Sequence, residues 1–404
     1  MKVAYYSPLP PERSGIADYS ALLLPELERR IEVAVVRRPG RRVPRGTDLA
    51  LYHVGNDPEH HWWIVEALRK RPGVVVLHDF VLHHLVAGMT LGRKNSEGYL
   101  DAMQREAGPV GRMLAHGVVD GLLPPVWERR AHEYPLTGEV LRYATGAIVH
   151  SEYVERRVRE HGFAEPVWRI PHPAWPAPST SAADLSSDRF VVGCFGHLNP
   201  AKRLPQLLDA FALLRERVPE ALLLLVGSLA PGLELELPEG AIHHGYVDEQ
   251  RLWSFLAATD VCVSLRYPTM GETSGVAVRA LSLGRPLVVS DVGWFADLPD
   301  EVAIKVPVEG DVEALASALE RLARDPELRE AMGAAASALA EGEYALGRVA
   351  EAYTAALEEA AGGEAVRDAV RSEIATAAAE TGLRPDGDAL RGIAERLREV
   401  GRGR

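Results

Sequence analysis

Six residues able to do chemistry fall within fourteen positions: Arg266, Glu272, Thr273, Ser274, Gly275 and Arg279. They lie between two short apolar runs, 261–265 and 286–290, that read as buried strands, and a helix is predicted to follow Gly275. In an open α/β sheet, the loop outside the carboxyl end of such a strand is where ligands bind. Thr273 or Ser274 can cap the helix, and the Gly275 region then offers unpaired N–H groups, a seat suited to phosphate. Arg266 adds a fixed positive charge, and Glu272 can accept hydrogen bonds from hydroxyls. A phosphate seat beside a hydroxyl acceptor points to a sugar nucleotide.

The elements that must position this loop form two successive sets of alternating strands and helices. The sequence predicts an α/β protein of two doubly wound, Rossmann-like lobes facing across a cleft, with a helical extension. The first lobe spans 1–172 and is closed by a returning helix at 347–361. A Pro-, Ser- and Ala-rich linker covers 173–189, the second lobe 190–346, and a helical tail 362–404 with a Pro385-Asp-Gly387 turn. Residues 96–143 read as a helical insertion over the crevice, facing the acceptor. In the first lobe, an apolar strand leads through prolines to Ser14-Gly15 and a helix carrying Asp18, and another strand ends in His78. A histidine at a strand's carboxyl end faces the crevice, although a satisfied structural histidine is the commoner case. In the second lobe, Lys202 stands at a helix's positive end, a poor place for a lysine unless an anion is present; the competing reading is a solvated side chain.

The stretch Arg279-Ala-Leu-Ser-Leu-Gly-Arg-Pro-Leu-Val, with Gly-Glu-Thr-Ser-Gly before it, resembles the retaining nucleotide-sugar glycosyltransferases of family 4, of GT-B fold. The variant loop is similar to that of a subgroup of bacterial polysaccharide glycosyltransferases. The resemblance covers about residues 1 to 361. It implies that Lys202 neutralises the donor diphosphate, that His78 contacts the donor sugar near its anomeric carbon, and that the Ser14-Gly15 loop lies against the donor phosphates (Gly15) and the acceptor (Ser14, Asp18). Tyr246 falls where the family seats the nucleotide base, and either stacks there or packs in the lobe. Two positions depart from the pattern. His197 replaces an Arg, and Arg279 stands where a Glu holds the ribose hydroxyls; Arg266 is a candidate to supply the charge lost at His197. Glu272 matches the first acid of the motif with a one-residue gap and is assigned to orient the donor sugar.

Composition sets bounds on partners. The 404 residues carry a formal charge of −12, which argues against nucleic acid. No apolar run reaches the ~20 residues of a membrane span, and Cys194 and Cys262 sit in apolar runs, as buried free thiols of a reducing, cytoplasmic protein do. No metal or other cofactor is expected, because His60, His61, His83 and His84 lack a clean ligand spacing. The partners implied are a nucleotide-sugar donor and a hydroxyl acceptor, lipid-linked acceptors included. A basic cluster between Arg29 and Arg45 offers a peripheral contact to an anionic membrane face or is a solvated turn. Two other functions fit the same pattern: a nucleotide-sugar epimerase of this fold, and a degenerate subunit that binds a nucleotide or partner without turnover.

Overall fold

A computed structural model describes residues 1–12, 14–37, 44–185, 189–309 and 312–380, with side chains as far as residue 363. The first sheet holds β1 (Lys2–Tyr6), β2 (Glu32–Val36), β3 (Leu49–Val54), β4 (Gly73–Leu77), β5 (Ala144–Val149) and β6 (Val167–Arg169). Its helices are α1 (Gly15–Glu28), α2 (Pro58–Lys70), α3 (His83–Thr90), α4 (Ser96–Val119), α5 (Val126–Arg129), α6 (Gly138–Leu141) and α7 (Glu152–Glu160). The second sheet holds β7 (Val191–Phe195), β8 (Leu222–Val226), β9 (Ala241–His244), β10 (Val261–Ser264), β11 (Leu287–Ser290) and β12 (Ala303–Val306). With it run α8 (Leu204–Arg217), α9 (Glu249–Ala257), α10 (Gly275–Ser282), α11 (Val312–Arg324), α12 (Pro326–Glu341) and the long α13 (Leu346–Glu380).

Each sheet has six strands, in the orders β2-β1-β3-β4-β5-β6 and β12-β11-β10-β7-β8-β9. Their ladders are parallel. Parallel strands covered on both faces read as near-continuous apolar runs, and the fully buried Gly-Val-Val-Val-Leu of β4 and Leu-Leu-Leu-Leu-Val of β8 meet that demand. The chain reverses direction across each sheet between β1 and β3 and between β10 and β7. Such switch points open a crevice at the strands' carboxyl ends. The loops after β1 and β3 therefore carry Ser14, Gly15 and Asn56 to one crevice, and those after β7 and β10 carry Lys202 and Glu272 to the other.

Two edge strands lie outside the sequence reading. β2 is five residues set between Arg29-Arg30 and Arg37, and β12 pairs only with β11 and is half-exposed at its centre. Short edge strands carry too little apolar sequence to stand out from polar flanks. Ser151 caps α7, its hydroxyl accepting from Val154 N–H at 3.1 Å. The 96–143 segment is helical, yet it packs Tyr99, Leu100 and Met103 against Val86 and Ala87 of α3 instead of covering the cleft. Arg29 and Arg30 both pair with Glu26; Arg38, Arg41 and Arg42 of the basic cluster, and the Pro385-Asp-Gly387 turn, fall outside the described residues.

The last helix fastens the whole. α13 leaves the second lobe and inserts Val349, Tyr353 and Leu357 into the first sheet's core beside Leu23 and Leu27 of α1. There the Tyr19 and Tyr353 hydroxyls meet at 2.7 Å, both fully buried. Tyr353→Phe should cost about 1–3 kcal/mol by leaving the Tyr19 hydroxyl unpaired, and Tyr353→Ala about 3–5 kcal/mol through the cavity, measured by urea unfolding.

Candidate active site

The loop between β10 and α10 is held at both ends. Its Met270 carbonyl crosses to the first lobe and accepts from Phe80 N–H at 2.7 Å and Val81 N–H at 2.9 Å. The next residue, Gly271, has φ +84° and lies so close to Phe80 that a Cβ would sit 2.7 Å from the Phe80 Cβ. Only glycine suits that backbone and that gap. Within the loop, Glu272 accepts from Met270 N–H at 2.8 Å and pairs with the Arg266 guanidinium at 2.8 Å. Ser274 is the residue that caps α10, accepting from Ala277 N–H at 3.2 Å. The first intrahelical donor is Val278 N–H, so the amides of Gly275 and Val276 have no partner within the helix. The Thr273 hydroxyl is buried without a hydrogen-bond partner.

A cavity of about 270 Å³ separates this loop from the first lobe. Of the residues singled out in the sequence, Ser14, Gly15, His78, Glu272, Thr273, Gly275 and Arg279 line it. Ser14 caps α1 through its hydroxyl, and Gly15 follows with open space where a Cβ would be. Asp18, His197, Lys202, Tyr246, Arg266 and Ser274 are not in the wall. Asp18 is half-exposed and lies 4.0 Å from the Arg279 guanidinium, an interlobe ion pair. His197 is exposed and turned to the Ser228 hydroxyl at 3.0 Å. Tyr246 is 70 % exposed, so it does not pack in the lobe's core. Lys202 is buried with its ammonium donating to the Phe195 carbonyl at 2.6 Å, which sets aside the reading of a solvated side chain. Burial lowers its pKa. A Cβ at Gly196 would be 3.7 Å from that ammonium and 3.5 Å from Val276, so the cation sits beside the start of α10. Arg279 stacks on Trp175 at 3.7 Å and approaches Glu249 at 3.5 Å.

Sequence reasoning missed much of the first-lobe wall. His150, His172, Asn56, Asp79, His61 and Trp175 all face the cavity with His78. His150 follows β5 as His78 follows β4, the same strand-end signal. Trp175 lies in the stretch whose prolines mark it as linker and His172 directly before it, yet both are buried. Four rings surround Tyr19: those of His78, His150, His172 and His53, at 4.7 to 5.9 Å between centroids. Burial holds all four uncharged, with His150 at about 4 and His172 at about 3. Asp79 accepts from Asn56 N–H at 2.8 Å, and burial plus the Glu272 carboxylate push it up to about 7. Among the described residues, no three His, Cys, Asp or Glu side chains are grouped to hold a metal ion.

Comparison with known proteins agrees with this architecture. Residues 189–325, most of the second lobe, match the family of glycosyl transferases group 1. The fold is the two-lobed GT-B fold. Sucrose-phosphate synthase from Thermosynechococcus elongatus superposes with a TM-score of 0.62 over 89% of this chain and 98% of that one, at 18% identity. Anabaena HepE, solved with UDP and glucose, gives 0.59 over 89% and 100%, at 16% identity. Among curated proteins, a D-inositol 3-phosphate glycosyltransferase of Streptomyces griseus is 34% identical over 214 residues, 45% of this chain and 44% of the relative. One of Kribbella flavida is 32% identical over 187 residues, 41% and 43% respectively. The chain thus spans less than half the length of these curated relatives.

Two predictions follow from the site's geometry. Gly271→Ala meets both a left-handed backbone and Phe80; it should lower stability by about 1–3 kcal/mol and loosen the interlobe contact, seen as a larger radius of gyration in X-ray scattering. Acid should destabilise the protein. His61, His83, His150 and His172 lie at about 4, 4, 4 and 3 when folded, against about 6.5 unfolded. The unfolded chain therefore gains protons first, and stability falls as pH drops from 6.5 toward 4. Asp79 and Glu106, both raised to about 7, work in the opposite sense, but the more numerous histidines outweigh them. Thermal melts should show a falling Tm across that window, flattened in His172→Gln.

Proposed function

We propose that this chain is a retaining glycosyltransferase, moving a sugar from a nucleoside-diphosphate sugar to a hydroxyl acceptor without a metal ion. One observation carries the reading: the start of α10 and the unpartnered Thr273 hydroxyl meet His78 and Gly15 across one cavity, with the cations of Lys202 and Arg266 set behind that wall. The family of the second lobe supports glycosyl transfer, and the relatives' naming for D-inositol 3-phosphate, a polyol phosphate, fits a hydroxyl acceptor.

In this mechanism the bond from the anomeric carbon to the diphosphate oxygen breaks as the acceptor oxygen bonds on the same face. The acceptor's proton passes to the departing phosphate oxygen. Lys202, Arg266 and the Gly275 and Val276 amides disperse the charge that builds on that phosphate, preorganised cations taking the place of a metal. Glu272 and His78 orient the sugar, and burial keeps His78 uncharged while it does so. The Met270 carbonyl, bonded to the Phe80 and Val81 amides, holds the two lobes together, and a cleft kept closed around the donor would limit its hydrolysis. The pairing of Arg29 and Arg30 with Glu26 weakens the case for an anionic membrane contact at that cluster. Among the described residues no helix is long and apolar enough to cross a membrane. The two buried free cysteines suit a reducing cytoplasm.

A thermal-shift panel of UDP, GDP, ADP and dTDP in EDTA tests the donor site. At ~100-fold excess over its dissociation constant, the right nucleotide should stabilise by about 2.7 kcal/mol, and Lys202→Met should abolish the shift. No shift with any nucleotide, with or without magnesium, would overturn the reading in favour of a degenerate subunit. Gly15→Ala is a sharper probe because the added methyl meets no protein atom within 4 Å. It should leave Tm unchanged or slightly raised while lowering transfer on the order of tenfold or more, measured as product formed from the nucleotide sugar.

A further inference from the structure

His53 lies in β3, one strand over from His78, and takes no place in the mechanism above. The two rings stack at 5.3 Å between centroids and 27° between planes, with His53 Nδ1 3.0 Å from His78 Nε2. Two neutral imidazoles at that distance share one proton between them, so one ring donates and the other accepts. The outer nitrogens decide which. His53 Nε2 is fully buried and has no hydrogen-bond partner. Were His78 the donor, the His53 proton would sit on that nitrogen as an N–H with no acceptor. Were His53 the donor, the same nitrogen would carry only a lone pair. Orphaned buried N–H groups are the rarer and costlier of the two. The neighbouring His150 shows the second pattern: its Nδ1–H donates to the Ile170 carbonyl at 2.8 Å while its Nε2 is buried without a partner.

We infer that His53 is a positioning residue: it donates from Nδ1 to His78 Nε2 and so holds His78 with its proton on Nδ1, the nitrogen left for the cleft. His78 then offers the ligand a hydrogen-bond donor and has no lone pair with which to act as a base there. The group it contacts must present an oxygen acceptor. On the proposed function, on which this part rests, that group is an oxygen of the donor sugar, and the acceptor's proton must leave by the departing phosphate.

The test reads the tautomer directly. The full chain, with histidines labelled in 15N, is examined without ligand at pH 7.5 by long-range 1H–15N correlation, and His78 is assigned through His78→Gln. The expected pattern is a protonated Nδ1 and a bare Nε2 in the wild type; a protonated Nε2, or an average of the two forms, overturns the inference whatever the variants do. His53→Phe keeps a ring but removes the donor, and should shift the 15N resonance of the bare His78 Nε2 as that nitrogen loses its hydrogen bond, whereas His53→Gln, which retains an N–H donor, should restore the wild-type position. An unchanged His78 Nε2 resonance in His53→Phe also overturns it. In transfer assays His53→Phe should lower kcat/KM about tenfold, the worth of one such hydrogen bond, with no further loss when combined with His78→Gln. Absence of nucleotide binding in the thermal-shift panel would remove the proposed function while leaving the tautomer assignment intact.

Discussion

One carbonyl oxygen organises the cleft. Met270 O receives two amides from the residues just past β4, and in doing so fixes the second lobe's loop against the first lobe's strand end. Everything functional on that loop is measured from this point. Glu272, two residues on, is carried to the neighbourhood of Asp79, and Thr273 and the start of α10 are turned to the cavity that His78 enters from the other side. The arrangement requires a glycine at 271 and a carboxyl at 79 that gives up its charge near neutrality. Its cost is local; its effect is to make one site out of two sheets.

The first-lobe wall sets four buried imidazoles, of His61, His78, His150 and His172, beside the carboxyls of Asp57 and Asp79. Each histidine is kept neutral chiefly by burial, and His61, His150 and His172 use Nδ1–H on a backbone carbonyl. On the opposite lobe the cations Lys202 and Arg266 stand behind the wall, one buried on the Phe195 carbonyl and the other paired with Glu272. Arg279, which stands where a carboxylate is the pattern of the resembling family, joins the two sides: it stacks on Trp175 and lies between Glu249 and Asp18.

The two-lobed fold is legible in the sequence because parallel strands covered on both faces are apolar almost from end to end, as β4 and β8 are throughout and β3 and β10 are but for His53 and Ser264. The Gly271-to-Gly275 loop is equally legible, since its polar residues crowd between two such runs. What escaped had weaker signatures. The edge strands β2 and β12 are short and only partly covered. His150 carries the same strand-end position as His78 but was one residue before a helix cap, and the cap signal of Ser151 absorbed it. His172 and Trp175 are embedded in prolines, whose backbone preference says nothing about whether the side chains between them are buried. Lys202 was placed by sequence at the phosphate seat, but its burial under the Phe195 carbonyl depends on the tertiary packing of β7 against the α10 start.

The chain passes between lobes twice, once after β6 and again on its way into α13, and the two passages touch where Ala174 N–H donates to the Tyr344 carbonyl at 2.7 Å. A single tether would allow the lobes to swivel as well as bend. Two tethers joined at a point leave bending about that junction as the soft degree of freedom and resist twist. An opening of the cleft that kept this junction would bend about it and would have to release the two amide bonds on the Met270 carbonyl.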